Sequence, residues 1–118
     1  MRRLLLTLAL ILTTSPTFAQ NALVGTWQSE SGTTTLALKN DNTYTLSSPG
    51  QFDHNGKYTM SGQSITLEDA FGSQFCPGIK GIYNFNVVVN SLRFEAVDDF
   101  CTARRDLLRG DWTNTGAP

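Results

Sequence analysis

The chain has 118 residues, enough for one small domain but not two, and 16% charged with 40% hydrophobic residues excludes charge-driven disorder. A formal net charge of −1 supplies no basic field for a phosphate backbone, so nucleic acid is not an expected partner. Two cysteines and one histidine leave little material for a metal set or a nucleophile–base pair, so no metal, cofactor or enzymatic activity is expected.

In chain order, the first segment reads as a targeting sequence. Arg2 and Arg3 form a positive start, and Leu4 to Leu12 are apolar apart from Thr7. Thr17 and Ala19 then put small residues at the −3 and −1 positions of a cleavage after Ala19. The apolar run is about half of the roughly 20 residues that an apolar helix needs to cross a bilayer. The expectation is therefore a signal peptide over 1–19, then a single domain over 20–118 without a membrane span. Its removal takes two of the nine basic residues, leaving seven against ten acidic ones and a net charge of −3. The domain is expected in the periplasm or outside the cell. In such an oxidising compartment Cys76 and Cys101 are expected to pair, since no Cys-x-x-Cys spacing suggests redox or metal chemistry. Closing a loop of that size removes unfolded-state entropy equivalent to about 3.5 kcal/mol.

From Leu23 onward the dominant hydrophobic period is two, which predicts strands. Leu23, Gly25 and Trp27 alternate with polar or small neighbours, as do Leu36 and Leu38, then Tyr44 and Leu46. Asn40-Asp41-Asn42, Ser48-Pro49-Gly50, Asn55-Gly56 and Ser61-Gly62-Gln63 read as turns. Tyr58 with Met60, Ile65 with Leu67, Tyr83 with Phe85 and Val87, and Leu92 with Phe94 continue the alternation. Thr102 to Leu108 reads as one or two helical turns stopped by Gly110, and Asp111 to Asn114 as a last short strand. These elements predict an all-β fold, a small antiparallel up-and-down β-barrel of 7–8 short strands with one short helical turn before the last strand. A two-sheet sandwich has the same pattern, and the short connections favour the barrel.

The residues Gly25-Thr26-Trp27, Gly56-Lys57-Tyr58-Thr59, Gly81-Ile82-Tyr83-Asn84-Phe85, Asp99-Phe100-Cys101-Thr102-Ala103-Arg104 and Trp112 carry a family signal. Over roughly residues 23–114 the chain resembles small secreted bacterial lipocalin-like (calycin-like) β-barrel proteins. The resemblance implies that Trp27 closes the barrel floor and packs with Arg104, with Trp112 as a further structural residue. Unlike lipocalins, this chain has short strands and places its helical turn before the final strand.

The expected inner face comprises Trp27, Leu36, Leu38, Tyr44, Leu46, Tyr58, Met60, Ile65, Leu67, Tyr83, Phe85, Val87, Leu92 and Phe94. Among these, Tyr44, Tyr58, Met60, Tyr83, Phe85 and Phe94 are the candidate ligand-binding residues, because tyrosine hydroxyls among apolar walls suit a small ligand. His54 reads as a solvent-facing turn residue, and Asp98 and Asp99 as caps of the helical turn. Arg104, Arg105 and Arg109 form a basic cluster assigned to local ion pairing. The loop 70–80, with Phe71, Phe75 and Ile79, is the candidate surface for a protein partner, with Cys76 pinning it over one barrel end. The expected function is an exported non-catalytic binding protein for a small apolar or amphipathic ligand. The alternative is a protein-interaction module such as a secreted or periplasmic protease inhibitor.

Overall fold

A computed structural model of the protein describes residues 22–51, 53–72 and 76–116. Strands β1 (Gly25–Ser29), β2 (Thr35–Leu38), β3 (Thr43–Ser47), β4 (His54–Ser61), β5 (Ser64–Asp69), β6 (Lys80–Val88) and β7 (Ser91–Asp99) follow one another. Helix α1 (Thr102–Leu107) and strand β8 (Asp111–Gly116) complete the chain order. Each strand pairs antiparallel with its sequence neighbours, and β8 returns to β1, closing an eight-stranded up-and-down barrel. Closure settles the choice between barrel and sandwich.

The two-residue period does what it predicts, because successive side chains of a strand point to opposite faces. Trp27, Leu36, Leu38, Tyr44, Leu46, Tyr58, Ile65, Leu67, Tyr83, Phe85, Leu92 and Phe94 are all buried inside, with Met60 and Val87 packed against them. Both tryptophans are sealed in the same way. Trp27 Nε1 donates to the carbonyl of Leu23 at 2.9 Å and Trp112 Nε1 to that of Leu108 at 3.1 Å. Each indole N–H therefore keeps a partner after leaving water, as a buried donor must.

Three local features depart from simple alternation and shape one end of the barrel. Asn55-Gly56 is not a turn. It lies inside β4, where Gly56 pairs with Tyr44 on one side and Asp69 on the other. A Cβ at Gly56 would lie 1.9 Å from the Glu68 carbonyl oxygen and 2.9 Å from the Ala70 nitrogen, so glycine is needed for β5 to approach so closely. Gly56→Ala is expected to lower the unfolding free energy by about 1–3 kcal/mol or more through this backbone clash, read from urea midpoints at constant m-value.

The second feature is a register shift in β6–β7: Tyr83 faces Ala96, but Ile82 faces Asp98. Val97 is thus an extra residue in β7, and it reverses the inward parity of everything after it. Asp99 consequently turns inward opposite Gly81, while Ala96, Val97 and Asp98 are exposed. The third feature is the short β7–β8 ladder, which spans only Ser91–Arg93 against Asp111–Thr113. Beyond Arg93, β7 is flanked by α1 instead of a strand.

Up-and-down order puts the β1–β2, β3–β4, β5–β6 and β7–β8 connections at one end. There the Cys76–Cys101 disulfide ties the β5–β6 connection to the start of α1. The signal-peptide assignment over 1–19 and the candidate contact residue Phe75 lie outside the described residues.

Candidate functional site

The disulfide-bearing end of the barrel is closed by a buried charge cluster centred on Arg104, whose side chain is 0% exposed. A guanidinium in such a place is tolerated only if every N–H finds an acceptor. Here Nε and Nη2 grip the Asp99 carboxylate at 2.9 and 2.7 Å, and Nη1 contacts Asp69 Oδ1 at 2.9 Å. Both terminal nitrogens also reach the Ile79 carbonyl, at 3.2 and 3.3 Å.

Around this core, the Tyr44 hydroxyl donates to Asp69 and the Tyr83 hydroxyl to Asp99. His54 Nδ1 lies 2.8 Å from Asp69 Oδ2, and the Cys101 backbone N–H donates to Asp99 Oδ1 at 2.8 Å.

Each member is there for a local reason. The bulge at Val97 aims Asp99 inward, and the disulfide holds Cys101 so that α1 presents Arg104 to the barrel mouth. Gly81 leaves the necessary room, since a Cβ there would lie 2.4 Å from Asp99 Oδ2 and 2.8 Å from Arg104 Nη2. The Gly-x-Tyr spacing thereby acquires a physical meaning: Gly81 and Tyr83 share the inner face, the first leaving room for Asp99 and Arg104 and the second donating its hydroxyl to Asp99.

The electrostatics follow from this packing. Burial opposes ionisation of Asp99, but the bonds from Arg104, Tyr83 and Cys101 outweigh it and hold its pKa below the ordinary carboxylate value. Burial, reinforced by the adjacent carboxylates, pushes the phenols of Tyr44 and Tyr83 well up. The Arg104 pKa is also raised: desolvation opposes its charge, but the hydrogen bonds to Asp99 and Tyr44 and the attraction of the Asp99 carboxylate outweigh it. Arg104 therefore stays a cation, and it cannot exchange protons at ordinary pH. The cluster is a cap of satisfied charges.

Several sequence expectations are corrected by this arrangement. His54 is not a solvent-facing turn residue: it opens β4 and is 1% exposed. Asp98 and Asp99 do not act as a pair, for Asp98 is exposed and Asp99 belongs to the buried cap. The assignment of the basic cluster to local ion pairing holds for Arg104, with Asp99, and for Arg109, with Asp106 at 3.3 Å, while Arg105 donates to the Asp99 carbonyl at 3.4 Å. The Arg104 guanidinium bonds go to acceptors on β5, β7 and the β5–β6 connection, and to Tyr44 on β3.

Sequence reasoning overlooked Asp69 and His54 as interior groups. The signal was present: Asp69 continues the inward phase of Ile65 and Leu67, and His54 that of Gly56 and Tyr58.

The candidate ligand residues divide. Tyr44 is enclosed in the cap, and Tyr58 donates its hydroxyl to the Lys39 carbonyl. Met60 is half-buried in the core packing. Phe85 and Phe94 are paired across β6–β7 and border an open cleft of about 580 Å³ with Gln63, Asn84, Asn86, Arg93 and Glu95.

Tyr83 and Phe94, in edge-to-face contact at 6.0 Å, also floor a second groove, where β7 runs on past the β8 ladder. That groove has a volume of about 190 Å³, and Ala96, Leu108, Arg105 and Arg109 complete its walls.

The rim around the disulfide differs in character. Phe71 and Phe100 are 86% and 87% exposed, far more than a core-forming ring, and Ile79 is also exposed. Among the described residues no helix is long and apolar enough to cross a membrane. The chain matches no family model, and neither the curated proteins nor the solved structures contain a significant match to it.

Proposed function

We propose that the protein is an exported, non-catalytic binding protein that takes a small amphipathic anion in the groove between β7 and α1. One observation supports this reading above the others. The groove combines an apolar floor of Tyr83, Phe94 and Ala96 with two guanidinium groups, Arg105 and Arg109, at its wall. A ligand with a small ring or short alkyl chain and one carboxylate matches that combination of contact area and bidentate charge recognition. A volume of about 190 Å³ limits the ligand to roughly the size of an aromatic acid. Export is supported by the disulfide and by the targeting pattern of the first residues. Kinship with lipocalin-like barrels rests on the motif resemblance and on the closed eight-stranded fold.

The binding site proposed here is lateral, where an interior pocket was the expectation, because the three tyrosine hydroxyls already have intramolecular partners.

A second reading, contact with another protein, is favoured by the exposed Phe71, Ile79 and Phe100 beside the disulfide. Calorimetric titration of residues 20–118 at low salt with benzoate and with benzyl alcohol separates the two readings. Benzoate is expected to bind and benzyl alcohol not to, and Arg105→Gln with Arg109→Gln should weaken benzoate at least about tenfold through loss of two charged hydrogen bonds. Equal binding by the double variant would overturn the groove assignment. Failure of a wide panel of small carboxylates, with protease inhibition abolished by Phe71→Ser and Phe100→Ser, would move the function to the rim.

A further inference from the structure

We propose that reduction of the Cys76–Cys101 disulfide converts this end of the barrel into a zinc site, with His54, Asp69, Cys76 and Cys101 as ligands. The argument starts from a convergence of donors. One ligand atom each from His54, Asp69 and Cys101 lie within 4.8 Å of one another, and all three residues are buried. Cys76 joins them through its bond to Cys101. A nitrogen, a carboxylate oxygen and two sulfurs make a four-donor set of the kind that zinc takes tetrahedrally, with bonds of about 2.0–2.3 Å. Such bonds require the donors to stand roughly 3.3–3.8 Å apart, so the widest separation among His54, Asp69 and Cys101 closes by about 1 Å, and Cys76, outside that trio, swings in once its bond to Cys101 is broken.

Charge explains why the switch is redox-controlled. In the disulfide form the local charges are Asp69, Asp99 and the Arg104 cation, with Arg104 bonded to both carboxylates. A dication has little net negative charge to hold it there, and the disulfide sulfurs have no anionic form to donate. Reduction changes both terms.

A dithiol transfers two electrons and two protons to the S–S bond, which breaks to give two thiols while the dithiol closes to its own disulfide. Zinc then displaces one proton from each thiol, and the two thiolates add two negative charges beside Asp69 and Asp99. Arg104 and Tyr44 remain useful: both contact Asp69 Oδ1, which leaves Oδ2, the oxygen facing His54, directed toward the donor set. Such outer partners orient first ligands in zinc sites.

The test uses residues 20–118, reduced with a phosphine so that no added thiol competes for metal, and titrated anaerobically with Co²⁺ as a spectroscopic substitute for Zn²⁺. The reduced protein is expected to develop the visible bands of tetrahedral cobalt together with a sulfur-to-cobalt charge-transfer band, both abolished by one equivalent of Zn²⁺. The oxidised protein should give neither. His54→Gln should weaken Co²⁺ at least about tenfold, and Cys76→Ser with Cys101→Ser should lose the charge-transfer band entirely. Far-UV circular dichroism checks that each variant is folded. A parallel melt of the wild type should show Zn²⁺ raising the midpoint of the reduced form alone, which keeps the test decisive if a variant unfolds. The proposal is overturned if reduced wild type shows no tetrahedral bands, if folded His54→Gln binds as the wild type does, or if Zn²⁺ leaves the reduced melt unchanged.

Discussion

Arg104→Met is expected to cost about 3–5 kcal/mol, because it strands two buried carboxylates. Methionine fills similar volume, so the loss is electrostatic more than steric. Asp99 would lose its bidentate partner and Asp69 its contact at 2.9 Å, in a place where neither side chain has any exposure to water. Against a total stability of about 5–15 kcal/mol for a small domain, the midpoint of thermal unfolding should fall by roughly 15–30 °C.

The physical cause is open to a direct check. If the loss comes from unpaired charge, then Arg104→Met combined with Asp69→Asn and Asp99→Asn should recover part of it, since replacing a whole buried ionic set is often close to neutral. Urea unfolding of the single, double and triple variants gives the coupling energies. A single-variant loss under about 1 kcal/mol would mean that the cap contributes little.

The second large effect is a loss of stability in alkali. Tyr44 and Tyr83 have folded-state pKa values raised well above the ordinary phenol value, by burial first and by their carboxylate partners second. The unfolded chain therefore releases these protons near pH 10 while the folded protein retains them. Above that pH the unfolded state binds fewer protons, so stability falls with rising pH, by about 1.4 kcal/mol per unit for each tyrosine and nearly 3 for both. The contribution is full below pH 10 and decreases until the folded phenols themselves ionise. Tyr58, raised mainly by burial, acts in the same direction.

Asp99 has the opposite sign: its folded pKa is lowered, so its contribution is present above about pH 4 and is lost as pH falls through the folded value. Urea midpoints between pH 9 and 11.5 should decline steeply in the wild type. In Tyr44→Phe with Tyr83→Phe the slope should flatten, although the variant starts lower at pH 7 for want of two hydrogen bonds. An unchanged slope in that variant would show that other groups drive the alkaline transition.

Much of the barrel was legible because its strands are amphipathic with a strict period. Leu36 and Leu38, Tyr44 and Leu46, and Ile65 and Leu67 announce an inner face one residue at a time, and short polar connections force antiparallel neighbours. The disulfide was legible from cysteine number and the expected compartment, without any view of its neighbours. The cap was not. Asn55-Gly56 has turn chemistry, yet tertiary packing uses its glycine for close strand approach. Likewise, Asp99 falls on the outward phase of the β7 alternation until the bulge at Val97 reverses it.

What the sequence determined by itself is thus the strand periodicity, the antiparallel neighbours implied by short connections and the cross-link, all of which depend on local patterning or on counts. Only the tertiary structure decided where the polar residues go. Closure of the barrel brings Tyr44, His54, Asp69, Tyr83, Asp99 and Arg104 together from β3, β4, β5, β6, β7 and α1. Each of these side chains is unremarkable on its own, and an isolated charge in that position would be expelled into water. Their burial is stable only as a set, because each donor removes the desolvation cost of an acceptor from another strand, and such a set has no signature in any one segment.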